Sequence, residues 1–217
     1  PSFCIQRNIF DPLTDTDAQM RLVPCLAEKW ENVSPTVWRF ELRRGVSFHD
    51  GQPFDSADVV FSLERAAGWE FSKVKGEIPT LKAVRATGPH SVEIETTVPD
   101  AILPKRLASI LMLDFESNQA GIASQGQSYL ATQANGTGPY RVTEWKKDTI
   151  CALEAYEDYW GGAPAIKHLE FVPISNDVTR LAALQRGEID IVVNVQPTSV
   201  DRVASLAGCR LVRRPSL

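Results

Sequence analysis

Residues 26–66, LAEKWENVSPTVWRFELRRGVSFHDGQPFDSADVVFSLERA, read as a strand, a tight turn and a capped helix in succession. Trp38, Phe40 and Leu42 alternate with Arg39, Glu41 and Arg43, so one strand face is apolar and the other charged. Arg44-Gly45 and His49-Asp50-Gly51-Gln52-Pro53 then supply turn residues, with glycines able to take positive φ. Asp55 has the chemistry of an N-cap, and Asp58 adds negative charge in the first helical turn. Phe54 and Val59 occupy the two positions of a hydrophobic staple, and Val59, Val60, Leu63, Ala66 and Ala67 recur at helical spacing.

Working outward, residues 84–87 and 91–97 read as two short strands around Gly88-Pro89-His90, with Val92, Ile94 and Thr96 sharing a face. Residues 99–113 carry apolar side chains at helical spacing, with Pro104 in the first turn, where a missing N–H matters least. The polar, small-residue stretch 121–136 predicts a surface loop with a short helix around Tyr129 and Leu130. GTGPY at 136–140 enters a strand pattern containing Val142 and Trp145, a second strand covers 150–155, and DYWGGAP follows at 158–164. From residue 167 the pattern is strand (168–174), helix capped by Ser175 or Asn176 and stopped at Gly187, then strand (188–195). The apolar run Ile191-Val192-Val193 predicts burial on both faces, and this order favours parallel pairing through a right-handed crossover. Trp38 and Trp145, in strand patterns, are expected in the core.

The chain has 217 residues, enough for one large domain or two modest ones; 43% hydrophobic and 23% charged residues are ordinary for a globular protein. A net charge of -4, with no basic run, gives no support to nucleic-acid binding, and no window approaches the roughly 18 apolar residues of a membrane helix. Cys4, Cys25, Cys151 and Cys209 are widely spaced without CxxC, which argues against a zinc knuckle or dithiol redox site. Isolated thiols are the simplest reading, and a Cys4–Cys25 bridge stays open. A first residue Pro1 with no leader suggests a piece of a longer precursor.

Catalytic chemistry finds no footing in these residues. GTGPY lacks the Lys-Ser/Thr of a phosphate loop and the GxGxxG of a dinucleotide fingerprint, so it reads as a tight turn. His49, His90 and His168 lack ligand-spaced partners, and His49 with Asp50 reads as a surface turn pair rather than a metal site. There is no GxSxG elbow, and Glu93 and Glu95 form an ordinary solvated strand face. The expectation is therefore no catalytic residue, no metal, no cofactor and no enzyme.

Residues 26–66, GTGPY, DYWGGAP and TRLAALQRGEIDIV (179–192), in this order, resemble the family 5 extracellular solute-binding proteins, the oligopeptide, dipeptide and nickel receptors of ABC importers. The resemblance implies an α/β (mixed α and β) fold of the periplasmic-binding-protein-like II type. The chain would form most of the first lobe of a two-lobed clamshell, cut at both ends and lacking the second lobe. Residues 1–42 and 165–217 would supply part of its core sheet and 43–164 its extra subdomain. The implied role is capture of peptides outside the inner membrane, as a periplasmic or lipid-anchored monomer, for delivery to ABC permease subunits. The resemblance leaves room for a nickel chelate, haem, glutathione or oligosaccharide instead, or for a receptor-like domain fused to a regulator. It also points to Trp69, Phe71, Leu111, Met112, Leu113 and Asp114 as residues facing the ligand.

Overall fold

A computed structural model describes residues 3–70, 72–126, 129, 134–206 and 208–213. The elements in order are α1 (Phe3–Ile9), β1 (Thr14–Thr16), β2 (Leu22–Pro24), β3 (Ala27–Ser34), β4 (Val37–Leu42), α2 (Ser56–Gly68), β5 (Leu81–Gly88), β6 (Ser91–Thr96), α3 (Leu103–Arg106), α4 (Phe115–Gln125), β7 (Tyr140–Lys146), β8 (Ile150–Ala155), β9 (His168–Phe171), α5 (Asp177–Gln185) and α6 (Val200–Ala204). The fold is mixed α/β, as expected. Internal packing divides the chain into two units, Pro1–Trp145 with Cys151–Phe171, and Lys146–Ile150 with Val172–Leu217.

The first unit is built on an antiparallel sheet in the order β3-β4-β6-β5. The alternation read in β4 is realised: Phe40 and Leu42 are buried beside Val92 and Ile94 of β6 and Val59, Leu63 and Ala66 of α2. On the opposite face, Arg39 bridges Glu93 (2.8 Å) and Glu31 (3.1 Å), and Lys82 meets Glu95 (2.6 Å). These half-exposed cross-strand pairs favour the register more than they add stability. The sheet takes β3 and β4 from residues 1–42 and β5 and β6 from 43–164, so hydrogen bonds between β4 and β6 join the two stretches.

Helix α2 begins as its sequence indicates. Asp55 Oδ1 accepts from the Ala57 amide (2.7 Å), the Asp55 amide donates to Asp58 Oδ2 (2.8 Å), and Phe54 and Val59 are both buried. Asp55→Ala is expected to cost about 1 kcal/mol and to lower Tm by a few degrees in a calorimetric scan; an unchanged midpoint would contradict the capping role.

Two helical expectations need correction. The helix expected over 99–113 is only α3 followed by a single 3-10 turn at Leu107–Ser109, with Pro104 in the first turn as predicted. The chain straightens because Leu111 forms a β-bridge with Pro12 and the Met112 amide donates to Asp11 O (3.0 Å), an interaction across the fold that local periodicity does not carry. The helix placed around Tyr129 and Leu130 is preceded by α4, which starts at Phe115 because Asp114 caps it through the Ser117 amide. Leu130 lies outside the described residues.

Strands β1 and β2 form a small sheet of their own, and β7, β8 and β9 form a further one in that order, with β9 antiparallel to β8; the parallel crossover expected from β9 to a strand over 188–195 is not made. Trp145, expected in the core, is 46% exposed because β7 is an edge strand whose outer half faces water. Cys25 and Cys151 are buried free thiols and Cys4 is exposed, so the Cys4–Cys25 bridge does not form.

The second unit is centred on α5, with Leu181, Ala183 and Val203 buried. Asn176 Oδ1 caps α5 through the Thr179 amide (2.9 Å). Gly187, at φ 70°, and Glu188 close its C-terminus by donating to Leu184 O and Ala183 O, a Schellman arrangement. The strand expected over 188–195 is not formed: among the described residues it has no ladder partner, and Ile191 and Val193 are 77% and 61% exposed. A strand exists only where a neighbour satisfies its backbone, whatever its β propensity. No helix among the described residues is long and apolar enough to cross a membrane.

Candidate functional site

The turn of the 26–66 block docks on the GTGPY turn, more than eighty residues further along the chain. The His49 amide donates to Gly136 O (2.9 Å), and the His49 ring reaches Gly138 O through Nε2 (2.9 Å) and accepts from the Gly136 amide at Nδ1 (3.4 Å). These partners call for the neutral imidazole with its proton on Nε2, and burial holds its pKa below the usual value. Tyr156 packs edge-on against His49, donating its hydroxyl to Phe48 O (3.2 Å) and its amide to Pro139 O (2.8 Å). His49 is thus a half-buried clasp, not a solvent-facing turn pair with Asp50.

The clasp continues into the N-terminal segment. The Gly138 amide donates to Ile9 O (2.9 Å), and a Cβ at Gly136 would lie 2.0 Å from that same oxygen. Asp11 Oδ2 accepts from Trp160 Nε1 (2.9 Å) and Thr137 Oγ1 (3.2 Å). Burial outweighs these hydrogen bonds and raises the Asp11 pKa to about 6. Arg43, stacked 4.4 Å over Trp160, ties this corner to the end of β4.

Segment 111–115 is bolted to α2. Ser62 Oγ accepts from the Leu113 amide (2.8 Å), and Asp58 Oδ1 accepts from the Phe115 amide (2.8 Å). Asp58 is buried with Asp55 and Asp114 near it, and desolvation raises its pKa to about 7. The structure separates the residues expected to face ligand. Met112 is 0% exposed within the core and Asp114 is 2% exposed, committed to the Ser117 amide (3.2 Å) and Asn135 Nδ2 (2.8 Å). Leu111 and Leu113 keep part of their surface open. Phe71 lies outside the described residues.

Trp69, at the exit of α2, lies apart from segment 111–114 in an open groove of about 330 Å³ lined by Phe61, Glu64, Arg65, Gly68, Trp69 and Ile122. Arg65 stacks 4.6 Å over the Trp69 ring, and Phe61 meets Phe115 edge to face at 5.7 Å. Phe61, Arg65 and Trp69 recur every four residues along α2, so one helical face was the available signal for Phe61 and Arg65. Ile122 comes from α4, where the sequence indicated a loop. Among the described residues, no three His, Cys, Asp or Glu side chains cluster as metal ligands. An aromatic groove with one cation and one carboxylate can bind a small molecule by shape and charge.

The described residues thus combine antiparallel strands, interlocked turns and an aromatic groove in a mixed α/β fold. Residues 21–216 match the bacterial extracellular solute-binding proteins, family 5, and the chain belongs to that family. A probable di/tripeptide-binding protein of Pseudomonas aeruginosa is 30% identical over 220 residues, covering 90% of this chain and 41% of the relative. The dipeptide-binding protein of Escherichia coli is 27% identical over 219 residues, with the same coverage of 90% and 41%. Among solved structures, the ABC transporter-associated periplasmic binding protein DppA of Helicobacter pylori, in complex with the peptide STSA, superposes with a TM-score of 0.84 at 25% identity, covering 92% of this chain and 43% of that one. NikZ of Campylobacter jejuni, in complex with Ni(L-His), gives 0.78 at 27% identity, covering 84% and 37%. The chain spans about two fifths of the length of these two curated relatives.

Proposed function

We propose that this chain is most of the first lobe of a peptide-binding component of an ABC importer. It captures short peptides outside the inner membrane, in the periplasm or on a lipid anchor, and hands them to the permease subunits as a monomer. The observation that carries this reading is the family match over 21–216 with relatives named for di- and tripeptides. Residues 43–164 would be the lobe's extra subdomain, sharing its sheet with β3 and β4 from the stretch before it, and 165–217 would return to the lobe core. No catalytic step is assigned: binding and release are the whole activity.

In this reading a second lobe closes over the peptide, and the ligand stabilises the closed state by binding it better than the open one. Hydrogen bonds to the peptide backbone give affinity while side chains stay varied. Of the residues expected to face ligand, Trp69, Leu111 and Leu113 keep part of their surface open, which supports that role for them, whereas Met112 and Asp114 are buried and would support the segment from beneath. The likeness to NikZ favours one other ligand class, a nickel chelate.

Denaturing mass spectrometry of the full-length protein, purified without refolding, tests both. A ladder of short co-purified peptides is the expected result; a single metal chelate would replace the substrate class. The 217-residue chain alone is expected to show no peptide binding by calorimetry at micromolar concentrations, because it spans about two fifths of its peptide-binding relatives and, in this reading, supplies one side of the cleft. Micromolar affinity, about −8 kcal/mol, in the isolated chain would overturn the two-lobe account.

A further inference from the structure

Asn135-Gly136 is the one Asn-Gly step in the chain, and it lies inside the clasp. Such a step is chemically labile, because the following amide nitrogen can reach the side-chain carbonyl carbon and glycine has no side chain to hinder ring closure. The reaction is promoted by a base at that N–H and by a donor at the carbonyl oxygen as it gains charge. Both are in place here. His49 Nδ1 accepts from the Gly136 amide (3.4 Å), while its Nε2 proton is committed to Gly138 O (2.9 Å), so Nδ1 carries the basic lone pair. The Asp50 amide donates to Asn135 Oδ1 (3.3 Å). Asn135 Nδ2 donates to Asp114 Oδ2 (2.8 Å) and Ser117 Oγ (3.5 Å), which fixes which end of the carboxamide is the oxygen. Asn135 is only half-buried, so water has access to it. Around the imidazole, among the described residues, stand Asp50 on its own turn, Arg141 of β7 and the Tyr156 phenol. Burial outweighs them and favours the neutral ring that a base requires.

We propose that Asn135 is a site of spontaneous deamidation, with His49 Nδ1 taking the Gly136 amide proton and the Asp50 amide answering the charge that develops on Oδ1. The Gly136 nitrogen bonds to Asn135 Cγ, the Cγ–Nδ2 bond breaks, and Nδ2 leaves as ammonia carrying the proton that His49 received. Water then opens the five-membered imide at either carbonyl and leaves an aspartate or an isoaspartate at position 135. Either product sets a carboxylate against Asp114 Oδ2, where the carboxamide had donated. Isoaspartate also lengthens the backbone by a methylene beside Gly136, where a Cβ would already lie 2.0 Å from Ile9 O. The modification therefore loosens the joint between the N-terminal segment and the two turns. It involves no ligand and stands apart from the peptide-binding reading.

The test follows deamidation at position 135 by peptide mass spectrometry, in the full-length protein kept native or held unfolded in urea, between about pH 5 and 8. Native wild type is expected to react about tenfold or more faster than the unfolded chain at neutral pH, a modest share of what a placed base supplies. Its rate should level off once the imidazole is neutral, whereas the unfolded chain reacts faster with every increase in hydroxide. His49→Gln should bring the native rate down to the unfolded one or below it. A native wild-type rate at or below that of the unfolded chain overturns the proposal, since the fold would then protect the step. A fast native rate that climbs with hydroxide throughout, or that persists in His49→Gln, removes His49 as the base and overturns it equally. If His49→Gln fails to fold, the wild-type pH profile decides. The deamidated fraction, separated by its added negative charge, should have the lower Tm, and an equal Tm overturns the loosening of the joint.

Discussion

Alanine at Gly136 is expected to lower the free energy of unfolding by about 3 kcal/mol or more, placing it among the severe single substitutions. The added Cβ would sit 2.0 Å from Ile9 O and 2.8 Å from Ile9 C, and both are backbone atoms that no rotamer change can move aside. Shifting the chain instead would disturb the Gly138 amide bond to Ile9 O and the His49 amide bond to Gly136 O, each 2.9 Å. One methyl group thus strikes the joint between the N-terminal segment, the turn before α2 and the turn before β7. Gly76→Ala is the control, since a Cβ there meets nothing within 4 Å and the backbone is not left-handed. It should change stability by less than about 0.5 kcal/mol. Urea denaturation of the full-length protein, followed by tryptophan fluorescence, compares the two. Equal midpoints for Gly136→Ala and wild type would mean that the close approach at Ile9 is not maintained in solution.

The contrast between α2 and His49 explains what the sequence can disclose. The capping box, the staple and the buried face of α2 all lie within a dozen residues, so spacing alone carries them. Such local signals also account for the alternation in β4 and β6, the Pro104 turn and the Gly187 stop. His49 finds its partners at Gly136 and Gly138, more than eighty residues along the chain, and nothing adjacent to it announces that encounter. The same holds for the end of the helix near Ile110, set by Asp11 and Pro12, and for the groove, whose Ile122 wall comes from a helix that composition concealed. Segment 188–195 shows the reverse error: strong β propensity read as a strand, without the neighbouring backbone a strand requires. Of the candidate site, Trp69 was legible as an aromatic at a helix exit. The cation stacked on it was not, because a charged residue on a helix is ordinarily a solvated one.

Asp11→Asn is expected to raise stability at pH 7.5 and to remove part of its dependence on pH. Asp11 is hemmed in by Thr137 and Trp160, which donate to it, by Tyr159, by Arg7 of α1 and Asp15 of β1, and by Cys25 after β2. Burial dominates and takes the carboxyl from 3.8 to about 6 in the folded chain. A folded pKa above the unfolded one means the native state holds the proton more tightly. The favourable contribution is complete below the unfolded value and is lost as pH rises through the folded one, between about 4 and 6. The displacement corresponds to something on the order of 3 kcal/mol. Asparagine keeps an acceptor oxygen for Trp160 Nε1 and Thr137 Oγ1 without the charge, so it should flatten this part of the profile. Alanine leaves both donors buried and unanswered and should be destabilising by about 2 kcal/mol or more at every pH. Asp58, raised to about 7 by the same cause, runs in the same direction over a window reaching to pH 7, so the Asp11→Asn variant retains some pH dependence. Urea midpoints at pH 5 and pH 7.5 for wild type, Asp11→Asn and Asp11→Ala read all three effects. A wild-type slope unchanged by Asp11→Asn would show that Asp11 stays ionised in the folded protein, and that water, rather than Trp160 and Thr137 alone, reaches the corner where the sequence blocks meet.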